Sequence, residues 1–182
     1  MKITEAALGH FKTITRHKWM VMLGCFRLGL IRQGLLHDLS KYSPVEFLAG
    51  VRYYQGDRSP IAAEKEARGL SEAWLHHKGR NRHHIEYWID MLRPEDGLVG
   101  MRIPLRYIAE SFVDRVCACK VYKKEAYTDR DAWDFYCLTR PYITMHPESQ
   151  KLLEKLLKML AVKGEKETFR YIRYLLYVKK DY

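Results

Sequence analysis

The sequence contains few cysteines, and they do not form a recognisable pattern. Its 182 residues include Cys25, Cys117, Cys119 and Cys137, with no CxxC pair and no zinc-finger spacing. This composition excludes a disulfide-stabilised scaffold. It favours buried free thiols in a reducing compartment.

Long apolar runs are also missing. No stretch approaches the roughly 18 apolar residues of a membrane-spanning helix. The N-terminal residues MKITEAALGHFKTITRHKW lack the apolar core and cleavage site of a secretory signal. The GxSxG nucleophile elbow and the Walker phosphate loop are absent as well. We therefore expect a cytoplasmic protein without a membrane partner, and neither a serine hydrolase nor a P-loop enzyme.

The chain is basic. It has 32 Lys and Arg against 22 Asp and Glu, a formal net charge of +10. This balance favours anionic partners such as nucleotides, nucleic acid or acidic surfaces. An excess that is merely spread over a solvated surface fits the composition equally well.

Helical periodicity dominates, and strand-like alternation is nearly absent. The apolar spacing and the Pro and Gly positions predict helices at about 4–24, 26–39, 44–54, 60–77 with a break near Gly69, 83–92, 104–122, 128–140, and a final pair from Pro147 that is split at Gly164. Residues 94–100, PEDGLVG, form the clearest glycine-bearing loop. Helices of this number and length predict one all-α domain, a single helical bundle over residues 1–182.

The segment HDLSKYSPVEF at 37–47 combines a His-Asp pair with a helix start. Ser43 can cap the helix, Pro44 suits its first position, and Glu46 completes the pattern of a capping box. The helix start explains the second half of the segment. It does not explain His37 and Asp38.

Histidines are concentrated before residue 85. Seven of the eight lie there, namely His10, His17, His37, His76, His77, His83 and His84. Further along, Asp114 has apolar helical neighbours, which predicts a largely buried carboxylate that needs a metal or an arginine as partner. Imidazole and carboxylate ligands together suit Mn, Fe, Co, Ni or Zn, and carboxylates also tolerate Mg.

The segment HHKGRNRHHIEYW carries four of these histidines among basic residues. Protonated imidazoles would repel one another there, whereas neutral metal-ligating imidazoles would not. Asn81 and Glu86 can hydrogen-bond ligand imidazoles. We favour His77 and His84 as the inward members of the two pairs, because Gly79 and Asn81 permit a turn between them. A basic surface loop is the alternative.

The order His, His-Asp, further His, late Asp resembles the HD superfamily of metal-dependent phosphohydrolases. The resemblance covers about residues 10–120. It implies that His17, His37, Asp38 and Asp114 bind a first metal. HDLSK is similar to the HD-x-x-K form, which implies that Lys41 contacts a substrate phosphate. The histidines between Asp38 and Asp114 stand where two-metal members place additional ligands, with His77 and His84 preferred and His10, His76 and His83 as further candidates.

The resemblance implies a metal-dependent phosphohydrolase that uses one or two divalent ions. Asp38, Lys41 and Glu86 are then the expected catalytic residues, and Lys41, Asn81 and Arg82 the expected substrate contacts. The expected substrate is a small phosphate ester, with a nucleotide favoured. The HD-like core would span about residues 1–127, followed by a helical extension at about 128–182.

Two other functions fit the same residues. Some HD-fold proteins are di-iron oxygenases with the same His and Asp set. A non-enzymatic module that binds metal or nucleic acid is the other, with the basic and aromatic segment FRYIRYLLYVKK at 169–180 as its surface. The apolar stripe of LLEKLLKMLAV at 152–162 is typical of a core helix or of a homodimer contact.

HDLSKYSPVEF, HHKGRNRHHIEYW and PLRYIAESFVDR also resemble, over nearly the whole chain, an uncharacterised family of small bacterial and phage proteins. This second resemblance implies no activity.

Overall fold

The computed structural model describes residues 2–182 and confirms the all-α prediction. Over these residues the chain forms eight α-helices and one small two-stranded sheet: α1 (Ile3–Arg27), α2 (Ile31–Leu36), α3 (Pro44–Arg52), α4 (Pro60–Arg68), α5 (Glu72–Lys78), β1 (Ile89–Met91), β2 (Leu98–Gly100), α6 (Leu105–Lys123), α7 (Asp131–Thr139) and α8 (Pro147–Tyr174). Short 3₁₀ turns join several of them. None of the helices in this range is long and apolar enough to cross a membrane.

One hydrophobic core joins the two halves of the chain. Helix α1 packs on α2 and α6, and α8 packs on α6 and α7. Val21, Phe112, Leu156 and Ile172 are fully buried within this core. A Cβ atom at Gly24 would lie only 2.5 Å from Val113 Cγ1, so the glycine allows α1 and α6 to approach closely. This contact fixes the two helices that carry His17 and Asp114.

The structure corrects two helix boundaries near the N-terminus. Helix α1 continues past Gly24 to Arg27, and the predicted helix at 26–39 is reduced to Ile31–Leu36. Gly29 has φ +75°, a left-handed conformation that ends α1. The chain therefore leaves helical geometry just before His37.

The predicted helix at 83–92 is wrong. Residues Ile85–Trp88 form a 3₁₀ turn, and Ile89–Met91 form β1, which pairs antiparallel with β2. Residues 92–97 make the hairpin connection, and Gly97 supplies its positive φ. The predicted loop at 94–100 is therefore too long, since its last three residues form β2. The predicted break near Gly69 is confirmed, since Gly69 separates α4 from α5 in a left-handed conformation. Gly164 likewise interrupts α8 with non-helical backbone angles.

The cysteines are free, as expected, but not all of them are buried. Cys25 and Cys117 are buried, Cys119 is half-buried, and Cys137 is exposed. Burial raises the pKa of Cys117 to about 12 and that of Cys119 to about 11. These two thiols are therefore protonated and unreactive near neutral pH.

The C-terminal segment belongs to the core along one face. Phe169, Ile172 and Leu175 are buried there, while Arg170 and Arg173 are exposed. The alternation is typical of a packed amphipathic helix with solvated arginines.

Candidate metal centre

The site is built where five segments meet. Helix α1 contributes His17, the turn after α2 contributes His37 and Asp38, and α5 contributes His77. His83 and His84 follow α5 in a loop. Helix α6 contributes Glu110 and Asp114, which lie on one face because they are four residues apart.

Asp38 is the residue at which these segments converge, and its backbone is strained. It adopts φ 53° and ψ 25°, the left-handed region that non-glycine residues rarely occupy. Such a conformation costs on the order of 1–3 kcal/mol and persists only when the surroundings enforce it. Lys18 helps to hold the backbone in this conformation, since its Nζ donates to the carbonyls of Leu35 and His37 at 2.8 Å each.

One group of four potential ligands surrounds Oδ2 of Asp38. It comprises His17, His37, Asp38 and Asp114. Oδ2 lies 3.4 Å from His37 Nε2 and 3.8 Å from His17 Nε2. Oδ1 of Asp114 lies 2.9 Å from His17 Nε2 and 3.5 Å from His37 Nε2. Metal–nitrogen bonds of about 2.1 Å place neighbouring ligand atoms about 3.0–3.4 Å apart, so this spacing suits a bound metal ion.

A second group of four surrounds the other oxygen of the same carboxylate. It comprises Asp38, His77, His83 and His84. Oδ1 of Asp38 lies 3.3 Å from His77 Nε2 and 3.5 Å from His83 Nε2. The two groups therefore share Asp38, one through each oxygen.

Two buried glutamates orient the imidazoles. Glu110 Oε1 lies 3.0 Å from Nδ1 of His37 and 3.2 Å from Nδ1 of His83. Glu46 lies 2.7 Å from Nδ1 of His77 and 2.6 Å from Nδ1 of His76. When Nδ1–H donates to a carboxylate, Nε2 keeps its lone pair, and in His37, His77 and His83 this atom faces Asp38.

Several of these inward atoms have no hydrogen-bond partner among the described residues. They are Nε2 of His37, His83 and His84 and both carboxylate oxygens of Asp38. Lys41 Nζ lies 2.6 Å from Asp38 Oδ2, as an ion pair without hydrogen-bond geometry. Each buried unsatisfied polar group costs about 1–3 kcal/mol. A cation bound among these lone pairs would satisfy them together, so the residues fit a metal ion.

The negative charge of the carboxylates also favours a bound cation. Asp38, Asp114, Glu46 and Glu110 face one another across the histidines, and over residues 2–182 only Lys41 gives any of them a lysine or arginine ion pair. Burial opposes ionisation of Asp38 and Asp114, but the facing histidines outweigh it and hold both pKa values well below the usual range. The carboxylates are therefore charged at neutral pH and require positive charge nearby.

The histidines respond to this field in different ways. Burial opposes protonation of His37, but Asp38 and the other carboxylates raise its pKa to about 9. Burial lowers the pKa of His17 and holds that of His84 well below its ordinary value. In the metal-free protein, protonated His37 supplies part of the positive charge that a metal ion would otherwise supply.

The structure brings together all six residues predicted as metal ligands. His17, His37, Asp38, His77, His84 and Asp114 all belong to the two groups. It also brings in His83, one of the further candidates. His76 contacts Glu46 and belongs to neither group, and His10 lies apart from both.

Of the predicted substrate and catalytic residues, three belong to the cluster or contact it, namely Asp38, Lys41 and Asn81, whereas Arg82 and Glu86 do not. Lys41 lies against Asp38, as described above. Asn81 is buried and donates to Ser40 Oγ at 2.9 Å and to the His77 carbonyl at 2.8 Å. Its Nδ2 also lies 3.1 Å from Nδ1 of His77, so Asn81 contacts a ligand imidazole as predicted. Arg82 is exposed and reaches the Tyr107 hydroxyl. Glu86 is half-buried and makes no hydrogen bond or ion pair with the cluster within residues 2–182.

Sequence reasoning missed Glu46 and Glu110. The predicted capping box is wrong, because the Ser43 side chain makes no capping hydrogen bond and Glu46 turns to the histidines of α5. Glu110 had a readable signal, since it stands one helical turn before Asp114 and shares its face. The signal for Glu46 was hidden by its agreement with a helix-start pattern.

The comparisons with known proteins identify the chain only at the level of a family. No curated protein and no solved structure matches it. A profile described as "Family of unknown function (DUF5662)" matches residues 6–159, which include every residue of the candidate centre. The chain therefore belongs to the DUF5662 family.

Proposed function

We propose that the protein is a metal-dependent phosphohydrolase acting on a small phosphate ester. The observation that carries the proposal is the sharing of Asp38 between two groups of four ligand atoms, each with three buried residues and one half-buried residue. Two metal ions held close together by a common carboxylate are typical of enzymes that displace a phosphoryl group. The order of the ligands along the chain is also the one that resembles the HD superfamily.

The donor set limits the metals. His17, His37 and Asp114 with Asp38 would hold one ion, and the histidines of the second group with Asp38 would hold the other. This mixture of imidazole and carboxylate suits Mn, Fe, Co, Ni or Zn, with Mg tolerated. A bound divalent ion of this kind polarises a phosphoryl oxygen and lowers the pKa of water.

Lys41 is the proposed phosphate contact. Burial would lower the pKa of its ammonium, but the Asp38 and Asp114 carboxylates outweigh burial and raise it, so Lys41 is charged. Its side chain is partly exposed and lines a cavity beside the cluster. A fixed ammonium there can neutralise charge on a phosphoryl group at the site. The proposal assigns no role to Glu86, which lies outside the cluster.

The test combines elemental analysis with an activity assay on purified wild-type protein and Asp38→Asn. Asparagine keeps the shape of the side chain and tolerates the left-handed backbone, so the variant removes mainly the charge. We expect about two metal equivalents in the wild type, loss of both in Asp38→Asn, and release of inorganic phosphate only by the wild type. Asp90→Asn, at an exposed position of β1, is the matched control and should behave as wild type.

Each alternative outcome has a defined meaning. A wild type that contains no metal after anaerobic purification and metal addition contradicts the centre itself. Bound mixed-valence iron without phosphate release contradicts the hydrolase and favours the di-iron oxygenase. Unchanged metal content in Asp38→Asn contradicts the sharing of that carboxylate.

A further inference from the structure

A cavity adjoins the candidate centre on the side of Lys41. Lys41 and Glu46 form one wall, and both also contact the cluster, through Asp38 and His77 respectively. His10 of α1 lines the same cavity. A molecule that binds at the centre through its phosphate can therefore extend into this space.

His10 is the feature of the cavity that points to a ligand. The residue is 6% exposed, and its Nδ1 is buried without a hydrogen-bond partner in the part of the chain that the structure describes. The ring fits against Gly50, where a Cβ atom would lie 2.1 Å from His10 Nε2. Phe47 and Tyr54 hold the ring from the sides, with centroid distances of 5.3 and 6.1 Å. The imidazole is thus positioned firmly while one of its polar atoms is unsatisfied.

The ring of His10 is neutral. Burial, assisted by the charge of Lys41, lowers its pKa to about 4. A neutral imidazole offers one N–H donor and one lone pair. A hydroxyl group can accept a hydrogen bond from the imidazole N–H or donate one to the imidazole lone pair, so it suits either tautomer. An ammonium or a carboxylate suits only one tautomer.

The size of the cavity limits what can enter. Its volume is about 70 Å³, less than half that of the roughly 150 Å³ apolar cavity that binds benzene. A nucleobase is larger than benzene and would not be enclosed. A chain of two or three carbons that extends from a phosphate at the centre is short enough to reach into this space, and Ile14, Ala49 and Ile61 give it apolar walls.

We propose that this cavity binds the alcohol portion of the substrate, that His10 hydrogen-bonds a hydroxyl on it, and that the substrate is a phosphate ester of a short hydroxylated alcohol. The inference rests on the proposed phosphohydrolase function and specifies its substrate class, which differs from the nucleotide favoured by sequence. His10 acts here in specificity and not as a metal ligand.

The test compares kcat/KM for three esters. Glycerol 3-phosphate and n-propyl phosphate have the same chain length and differ in hydroxyl groups, and adenosine 5′-monophosphate carries a base. We expect the wild type to prefer glycerol 3-phosphate over propyl phosphate by about tenfold, the effect of one hydrogen bond that leaves a buried partner unpaired when it is missing. We expect the ratio to fall close to one in His10→Ala and to stay at its wild-type value in His146→Ala, which removes a histidine outside the cavity.

Three kinetic results would overturn the inference. The first is a wild-type ratio of kcat/KM near one between glycerol 3-phosphate and propyl phosphate, and the second is a His10→Ala variant that keeps the wild-type ratio. The third result is adenosine 5′-monophosphate as the best of the three esters, which would contradict the size argument.

A binding measurement on the wild type separates this inference from the proposed function. In ¹⁵N NMR of the imidazole nitrogens, glycerol should shift the His10 signals, whereas n-propanol should shift them less. If none of the esters is hydrolysed by the metal-loaded protein, the phosphohydrolase proposal fails, and a His10 shift with glycerol would still identify an alcohol site. If hydrolysis occurs but glycerol leaves the His10 signals unchanged, the cavity proposal fails alone. The measurement also decides the matter if His10→Ala does not fold.

Discussion

Glu110 gives the sharpest test of how the centre is organised. It is 5% exposed and accepts from Nδ1 of His37 and of His83, one histidine from each ligand group. Burial would raise its pKa, but the hydrogen bonds from these two histidines outweigh burial and lower it, so the side chain is a carboxylate. We therefore predict that Glu110→Gln weakens metal binding.

The size of the effect follows from the two hydrogen bonds. Glutamine has the same shape, but only its carbonyl oxygen can accept, and without a negative charge. Removing a group that orients a ligating histidine typically costs 10–100-fold in metal affinity, which corresponds to about 1.4–2.8 kcal/mol. Because Glu110 supports ligands in both groups, we expect both binding constants to fall by about this factor.

Competition titration against a chromophoric chelator measures the two affinities directly. Glu148→Gln is the matched control, because Glu148 is exposed and pairs with Arg102 far from the centre. A circular dichroism spectrum should confirm that both variants are folded. Affinities within about twofold of the wild type in Glu110→Gln would refute the reasoning, since the carboxylate would then not determine ligand geometry.

Three further predictions concern stoichiometry, packing and pH. His17→Ala and His84→Ala each remove a ligand from a different group, so elemental analysis should find about one metal equivalent in each variant, and loss of both equivalents would contradict two separable sites. Gly24→Ala forces a Cβ atom to 2.5 Å from Val113 Cγ1 and should lower the free energy of unfolding by about 1–3 kcal/mol in a urea titration; an unchanged midpoint would contradict the close packing of α1 on α6. In the metal-free protein the pKa of His37 is raised from 6.5 to about 9 by Asp38 and the other carboxylates, although burial opposes it. Its stabilising contribution is therefore complete below pH 6.5 and is lost as the pH rises through 9, so Tm in a chelating buffer should fall between pH 6.5 and 10, whereas a flat profile would mean that His37 is not protonated.

Most of the fold is visible in the sequence because its signals are local. Pro44, Pro60 and Pro147 each stand at the first position of a helix, as predicted. Gly69 and Gly164 interrupt helical geometry where the spacing indicated. The error at 26–39 arose because Gly29 adopts a left-handed conformation that ends α1. The error at 83–92 arose because helix and strand patterns are hard to distinguish over a short apolar run.

The ligand set is partly predictable for a different reason. His37 and Asp38 are adjacent in sequence, and the remaining ligands are of residue types that bind metals. The orientation of each side chain is not local, however. His17 and Asp114 are 97 residues apart and lie within 2.9 Å only because α1 packs closely on α6.

The sequence by itself determined the all-α class, the main helix boundaries and the types of residue available to a metal. Only the tertiary structure decided that Asp38 is shared between two groups, that His83 joins them, and that Glu46 and Glu110 orient the imidazoles. The physical reason is that helix starts and breaks depend on neighbouring residues, whereas a buried polar cluster depends on which distant side chains the packed helices bring within hydrogen-bond distance.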